Sequence, residues 1–233
     1  MTNDSPNPMP LWRFWIPILF QTALILAVPA QALFTQLTGK TVILQTVPVD
    51  PYDLLRGYSQ TLRYDISSQD SLRKLPGWKE LPKQQPHGNR LTFIEPGTRF
   101  YVILTEPVAA SALTKLPQAW KPVAVTVKRP SKLQANQVAL KGLAQPGFIQ
   151  YGLETYYIPE EQREQINSDL RAARQADPTQ LQQTPPLANS TQLQQTPPVV
   201  MEIKVNAQGD AVPIGLWAKV GEASKPQIRN YRF

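Results

Sequence analysis

Between residues 12 and 34 the chain reads WRFWIPILFQTALILAVPAQALF, an apolar run with one charge, Arg13. As a helix, a run of this length crosses a hydrocarbon core of about 30 Å. Trp12 and Trp15 sit where an interfacial aromatic belt belongs. Pro17 is tolerated in a first helical turn, and Gln21 and Pro29 weaken a membrane helix without forbidding it. Ala30-Gln31-Ala32 has the small-x-small form of a signal-peptide cleavage site, so the run is either a retained anchor or a leader removed after Ala32. With Arg13 the only basic residue at its start, we read it as a retained anchor. Either reading exports the rest of the chain. Counting flanking positive charge, Arg13 against Lys40, does not fix the orientation.

The residues beyond the anchor suffice for one extramembrane domain of ordinary size. Hydrophobic residues make up 42% of the chain, enough for a packed core, while 24 prolines against 11 glycines favour short strands and rigid turns over long helices. No cysteine is present, which excludes disulfides, thiolate metal sites and a cysteine nucleophile.

Strand signals recur after the anchor. TVILQTV (41–47) reads as a first strand ended by Pro48. In the next, Tyr58, Leu62, Tyr64 and Ile66 share one parity and Gly57, Ser59, Thr61, Arg63 and Asp65 the other, giving one core face and one wet face. Residues 100–104, the alternating Val123, Val125 and Val127, and residues 138–143 and 148–157 continue the pattern; VVMEIKV (199–205), a turn at 206–210 and the run to Trp217 make a last hairpin. The expected fold is mainly β: an anchor, then one antiparallel β barrel or sandwich with a single short helix. That helix begins near Pro159, with Glu160 and Glu161 in its first turn, Arg171 and Arg174 in its last, and Ile166, Leu170 and Ala173 as a thin apolar stripe. TQLQQTPP occurs at 179–186 and again at 191–198, and two copies rich in Gln and Pro form an extended or disordered insertion, not a core. The organisation is therefore a tail at 1–11, the anchor at 12–34, a β domain at 38–218 with an insertion at 178–198, and a flexible tail at 219–233.

Two strings carry a family resemblance: GKTVILQTVPVDPYDLLRGYSQTLRYDIS at 39–67 and YGLETYYIPE at 151–160. Through Gly39-Lys40, the PVDPYD string, Arg56-Gly57, Leu62 with Tyr64, and YGLE followed by IPE, the chain resembles the GDYxxLxY family of small membrane-anchored proteins. Aligned on Arg56-Gly57, the Asp of the family's name motif falls on Tyr58 and its first Tyr on Ser59, while its Leu and last Tyr are kept as Leu62 and Tyr64. The resemblance implies an anchored domain outside the cytoplasm, and no reaction. Beside that family, the Gln/Pro-rich stretches point to a cyanobacterial plasma or thylakoid membrane, with the domain on the periplasmic or lumenal side. Asp50, Asp53, Arg56, Tyr64 and Glu154 belong to these strings. They form either a small binding or acid–base cluster or a set of turn-fixing and sheet-facing contacts, and the structural reading is preferred.

The net charge is +7, and residues 107–153 hold no Asp or Glu. Lys121, Lys128, Arg129 and Lys132 make a candidate basic surface that faces anionic headgroups, faces an acidic partner, or is simply a solvated, strand-protecting set, the last being preferred. Nucleic acid is not expected, since no binding motif occurs and the stretch lies beyond an anchor. His87 stands alone in a polar turn and is read as solvated, so no metal or cofactor is expected. GxSxG, HExxH and Walker signatures are absent. A signal-peptidase-like Ser/Lys site needs a serine soon after the anchor, and the first is Ser59. Three functions remain, in order of preference: a non-catalytic anchored domain that binds and supports another membrane or envelope protein, a small-ligand or lipid-binding module, and a Ser/Lys hydrolase.

Overall fold

In the computed structural model, which describes residues 12–47, 59–85, 92–107, 116–157, 165, 166, 168, 199–220 and 227–232, the apolar run forms helix α1, Trp12–Thr38. Its 27 residues give a length of about 40 Å. Every side chain on it except Thr35 is exposed, and it is long and apolar enough to cross a membrane.

The rest of the described residues are mostly strand: β1 (Lys40–Val47), β2 (Ser59–Thr61), β3 (Arg63–Tyr64), β4 (Lys83–Gln84), β5 (Phe93–Ile94), β6 (Arg99–Thr105), β7 (Lys121–Thr126), β8 (Gln137–Gln145), β9 (Phe148–Gln150), β10 (Thr155–Tyr157), β11 (Val199–Val205), β12 (Ala211–Val220) and β13 (Gln227–Arg232), with a short helix α2 (Gln69–Leu72). A five-stranded sheet runs β13-β12-β11-β1-β3 and a four-stranded sheet β7-β6-β8-β9; the pairs β10-β2 and β4-β5 stand beside them. All these pairings are antiparallel. Among the described residues neither large sheet closes into a barrel, so of the two expected forms the barrel is excluded. Alternation supplies the core: Val42 and Leu44 of β1, Phe100, Val102 and Leu104 of β6, and Met201 and Ile203 of β11 are buried in one cluster.

Elsewhere main-chain groups at strand edges are satisfied by loops. The Trp120 amide donates to the Ile43 carbonyl at 2.8 Å, and the Val125 amide to the Pro76 carbonyl at 2.9 Å. The turn of the β11–β12 hairpin reaches the other sheet, where the Lys141 amide donates to the Gly209 carbonyl at 2.9 Å and the Lys141 ammonium meets Asp210 at 3.0 Å.

Three expectations are corrected. The strand expected over 57–66 is two: β2 pairs with β10, β3 pairs with β1, and a 3-10 turn comes next at Asp65–Ser67. The buried parity of Leu62, Tyr64 and Ile66 survives the break, because each stays under the same core. Val127, expected in the core with Val125, is 40% exposed while Val125 is buried, and Val123 is 37% exposed. A register shift sets Ile103 opposite Ala124 but Leu104 opposite Pro122, bulging Val123 outward, and Val127 lies beyond the strand end. The tail expected to be loose from Lys219 onward carries β13, which pairs with β12 from Gly215↔Arg232 to Val220↔Gln227. Of the helix expected near Pro159, Gln165, Ile166 and Ser168 are helical and Ile166 is buried; the rest of that helix and the TQLQQTPP repeats lie outside the described residues.

Candidate functional site

The strings 59–67 and 151–157 lie antiparallel and meet. β2 and β10 pair from Ser59↔Tyr157 to Thr61↔Thr155, and the ladder continues one step further through the Leu62 amide, which donates to the Glu154 carbonyl at 2.7 Å. Beyond that point the chains clasp. The Tyr64 hydroxyl donates to the Leu153 carbonyl at 2.7 Å, and the Tyr151 hydroxyl donates to the Ile66 carbonyl, also at 2.7 Å. The Glu154 side chain turns back and accepts the Tyr151 amide at 2.5 Å, closing a tight turn around Gly152. Asp65, at the start of the 3-10 turn, accepts the Ile66 amide at 2.7 Å.

Burial governs the electrostatics here. It raises the Tyr64 hydroxyl well above its ordinary range, and the Glu154 charge adds to the effect. Tyr151 is raised by burial first and then by the Asp65 and Glu154 charges. Both hydroxyls therefore stay protonated and remain donors at any physiological pH. The Asp65 carboxyl is pushed up to about 6 by burial, against the lowering pull of the Ile66 amide and its own. The arrangement holds protons in place and joins two segments of chain.

Of the expected cluster, Tyr64 and Glu154 come together; Asp50, Asp53 and Arg56 lie outside the described residues, as does His87. Sequence reasoning missed Asp65, which parity put on the wet face, and gave Tyr151 no role beyond its place in the YGLE string. The only signal for either was membership of the two strings. Lys121, Lys128, Arg129 and Lys132 are all exposed. Ser67 and Ser68 are engaged in turns: the Ser67 hydroxyl lies 3.4 Å from the Tyr64 amide, and the Ser68 hydroxyl caps α2 by accepting the Asp70 amide at 3.3 Å. Among the described residues no three His, Cys, Asp or Glu side chains group to hold a metal ion.

A family model described as GDYXXLXY protein matches residues 21–216, a span that takes in both clasped strings. No curated protein and no solved structure matches the chain.

Proposed function

The chain belongs to the GDYXXLXY family, and on that premise we propose that it is a single-pass membrane protein whose β domain lies outside the cytoplasm, on the periplasmic or thylakoid-lumen side, and binds and supports another membrane or envelope protein without catalysing a reaction. What carries this reading is the use made of the motif residues. Tyr64, which matches the last Tyr of the family's name motif, and Glu154 of the YGLE string spend their polar atoms on main-chain groups inside the domain. Burial holds both tyrosine protons fast, so neither hydroxyl serves as an acid or base near neutral pH, and Asp65, whose carboxyl is raised to about 6, gives one oxygen to the Ile66 amide. The clasp stiffens a platform, and α1 supplies the tether.

Crosslinking in native membranes tests the proposal. The expected result is one membrane or envelope protein recovered reproducibly with the chain. Purification of the chain alone from mild detergent, carrying a bound small molecule, overturns it in favour of a ligand-binding module.

A further inference from the structure

The joint between α1 and the β domain is stiff. α1 ends at Thr38 and β1 begins at Lys40, so Gly39 is the whole connection. Its amide donates to the Thr35 carbonyl at 2.8 Å, and a side chain there would come within 2.5 Å of that carbonyl and 3.1 Å of the Val205 backbone. Thr35, buried on an otherwise exposed helix, accepts a hydrogen bond from Asn206 Nδ2 at 2.9 Å. Asn206 in turn accepts the Gln208 and Asp210 amides at 2.9 and 3.0 Å, closing the β11–β12 turn. Leu33, Phe34 and Leu37 are exposed right up to this joint. Burying them in a bilayer brings the joint to headgroup level.

The same joint positions a basic loop. Residues 127–136, VKRPSKLQAN, connect β7 to β8 and contain Lys128, Arg129 and Lys132 with no acidic residue; all but the half-buried Pro130 are exposed. One end is held by Lys40, whose ammonium donates to the Ala135 carbonyl. Lys132 is three residues from that carbonyl, at most about 10 Å of chain. The other end comes directly after Thr126, which pairs with Tyr101, and the Tyr101 ring lies 2.9 Å from where a Gly209 side chain would begin, in the turn that Asn206 closes. The C-terminal end of the loop is thus tied to the residue that opens β1 beside the helix end, and the loop runs from there across β6 to the level of Tyr101, whose ring reaches the β11–β12 turn. Outside α1, the described residues expose four large apolar side chains, and two of them, Val127 and Leu133, are in this loop. Cations interleaved with exposed apolar groups suit the boundary between phosphates and acyl chains.

We propose that loop 127–136 rests on the anionic phospholipid headgroups of the bilayer that holds α1, with Lys128, Arg129 and Lys132 on phosphates and Val127 and Leu133 at the acyl boundary. The Thr35–Asn206 bond keeps the domain in that one orientation. The proposal rests on the reading of α1 as the spanning segment.

The chain has no cysteine, so single labels report single positions. The full chain is reconstituted in vesicles of phosphatidylcholine, with or without phosphatidylglycerol and containing headgroup spin-labelled lipid, with a fluorophore on Ser131→Cys or on Gln227→Cys. Gln227 pairs with Val220, at the far end of β12 from the joint and about 30 Å from its start. The label at 131 is expected to be quenched severalfold more than that at 227, and more strongly when phosphatidylglycerol is present. Lys128→Glu, Arg129→Glu and Lys132→Glu are each expected to weaken the loop–lipid contact about fivefold. Equal quenching at both positions, or none at 131 while the protein withstands an alkaline wash of the vesicles, overturns the proposal and leaves the anchor standing. Quenching that survives charge reversal overturns the headgroup chemistry. Loss of a protein crosslink on charge reversal, with quenching at 131 unchanged, makes the loop a protein contact and likewise overturns it. Release of the protein by the wash removes the anchor reading and the proposal together.

Discussion

Tyr64 and Tyr151 each donate a hydroxyl proton to a carbonyl in the other's segment, Tyr64 to Leu153 and Tyr151 to Ile66, both at 2.7 Å. Removing either hydroxyl leaves a buried carbonyl without a partner. Tyr64→Phe and Tyr151→Phe are each expected to cost about 1–2 kcal/mol. Because both bonds hold the same two segments, the double variant should depart from the sum by about 0.5 kcal/mol or more. Equilibrium unfolding of the detergent-solubilised chain, monitored by tryptophan fluorescence, checks both statements; strict additivity would show that the bonds act separately.

Asp65 makes stability depend on pH in a stated direction. Its folded value of about 6 lies above the ordinary 3.8, so the folded state binds the proton more tightly than the unfolded one. The associated stability is fully present below pH 3.8 and is lost as pH rises through about 6. Over that window the loss is at most about 3 kcal/mol. Asp65→Asn keeps an oxygen for the Ile66 amide and removes the charge. It should stabilise the domain at pH 8 and flatten the profile between pH 4 and 6; an unchanged profile would mean Asp65 is not the group responsible.

Gly77 is irreplaceable for two reasons. Its φ of +83° lies in the left-handed region, and a Cβ there would sit 1.8 Å from the Val125 carbonyl. That contact cannot relax without moving the loop that satisfies the Val125 amide through Pro76. Gly77→Ala should cost about 3 kcal/mol or more, read as a lowered midpoint of thermal unfolding. A variant as stable as the parent would show that the edge of β7 is not covered in this way.

Much of the fold was legible in the sequence because it rests on local periodicity. The hairpin of β11 and β12 arises from alternation on both sides of a polar turn, and Leu62 and Tyr64 are buried as their parity requires. What was not legible depends on partners distant in the chain. The break between β2 and β3 leaves parity intact, so nothing local reveals that the two halves pair with different strands. β13 is rich in charged and polar residues and is held as a strand by β12. Asp65 looked solvent-facing until the 3-10 turn placed it near Tyr151, 86 positions later in the chain. Thr35 and Asn206, each one polar residue among several in the helix and in the turn, carried no sign that they would meet.

The side of the membrane is accessible to protease. With the domain outside the cytoplasm, protease added to spheroplasts or opened vesicles should digest it and leave a short N-terminal fragment. Protection that persists until the cytoplasmic face is exposed would reverse the orientation.

The central claim, that the domain supports a membrane partner by binding and not by catalysis, is tested most directly by dose. A binding protein acts in proportion to its amount, whereas an enzyme turns over. With expression of the chain titrated in cells that otherwise lack it, the level of the crosslinked partner in the membrane should rise in step with the chain and saturate near equal amounts. A full partner level sustained by a small fraction of that amount would contradict the account and point to turnover.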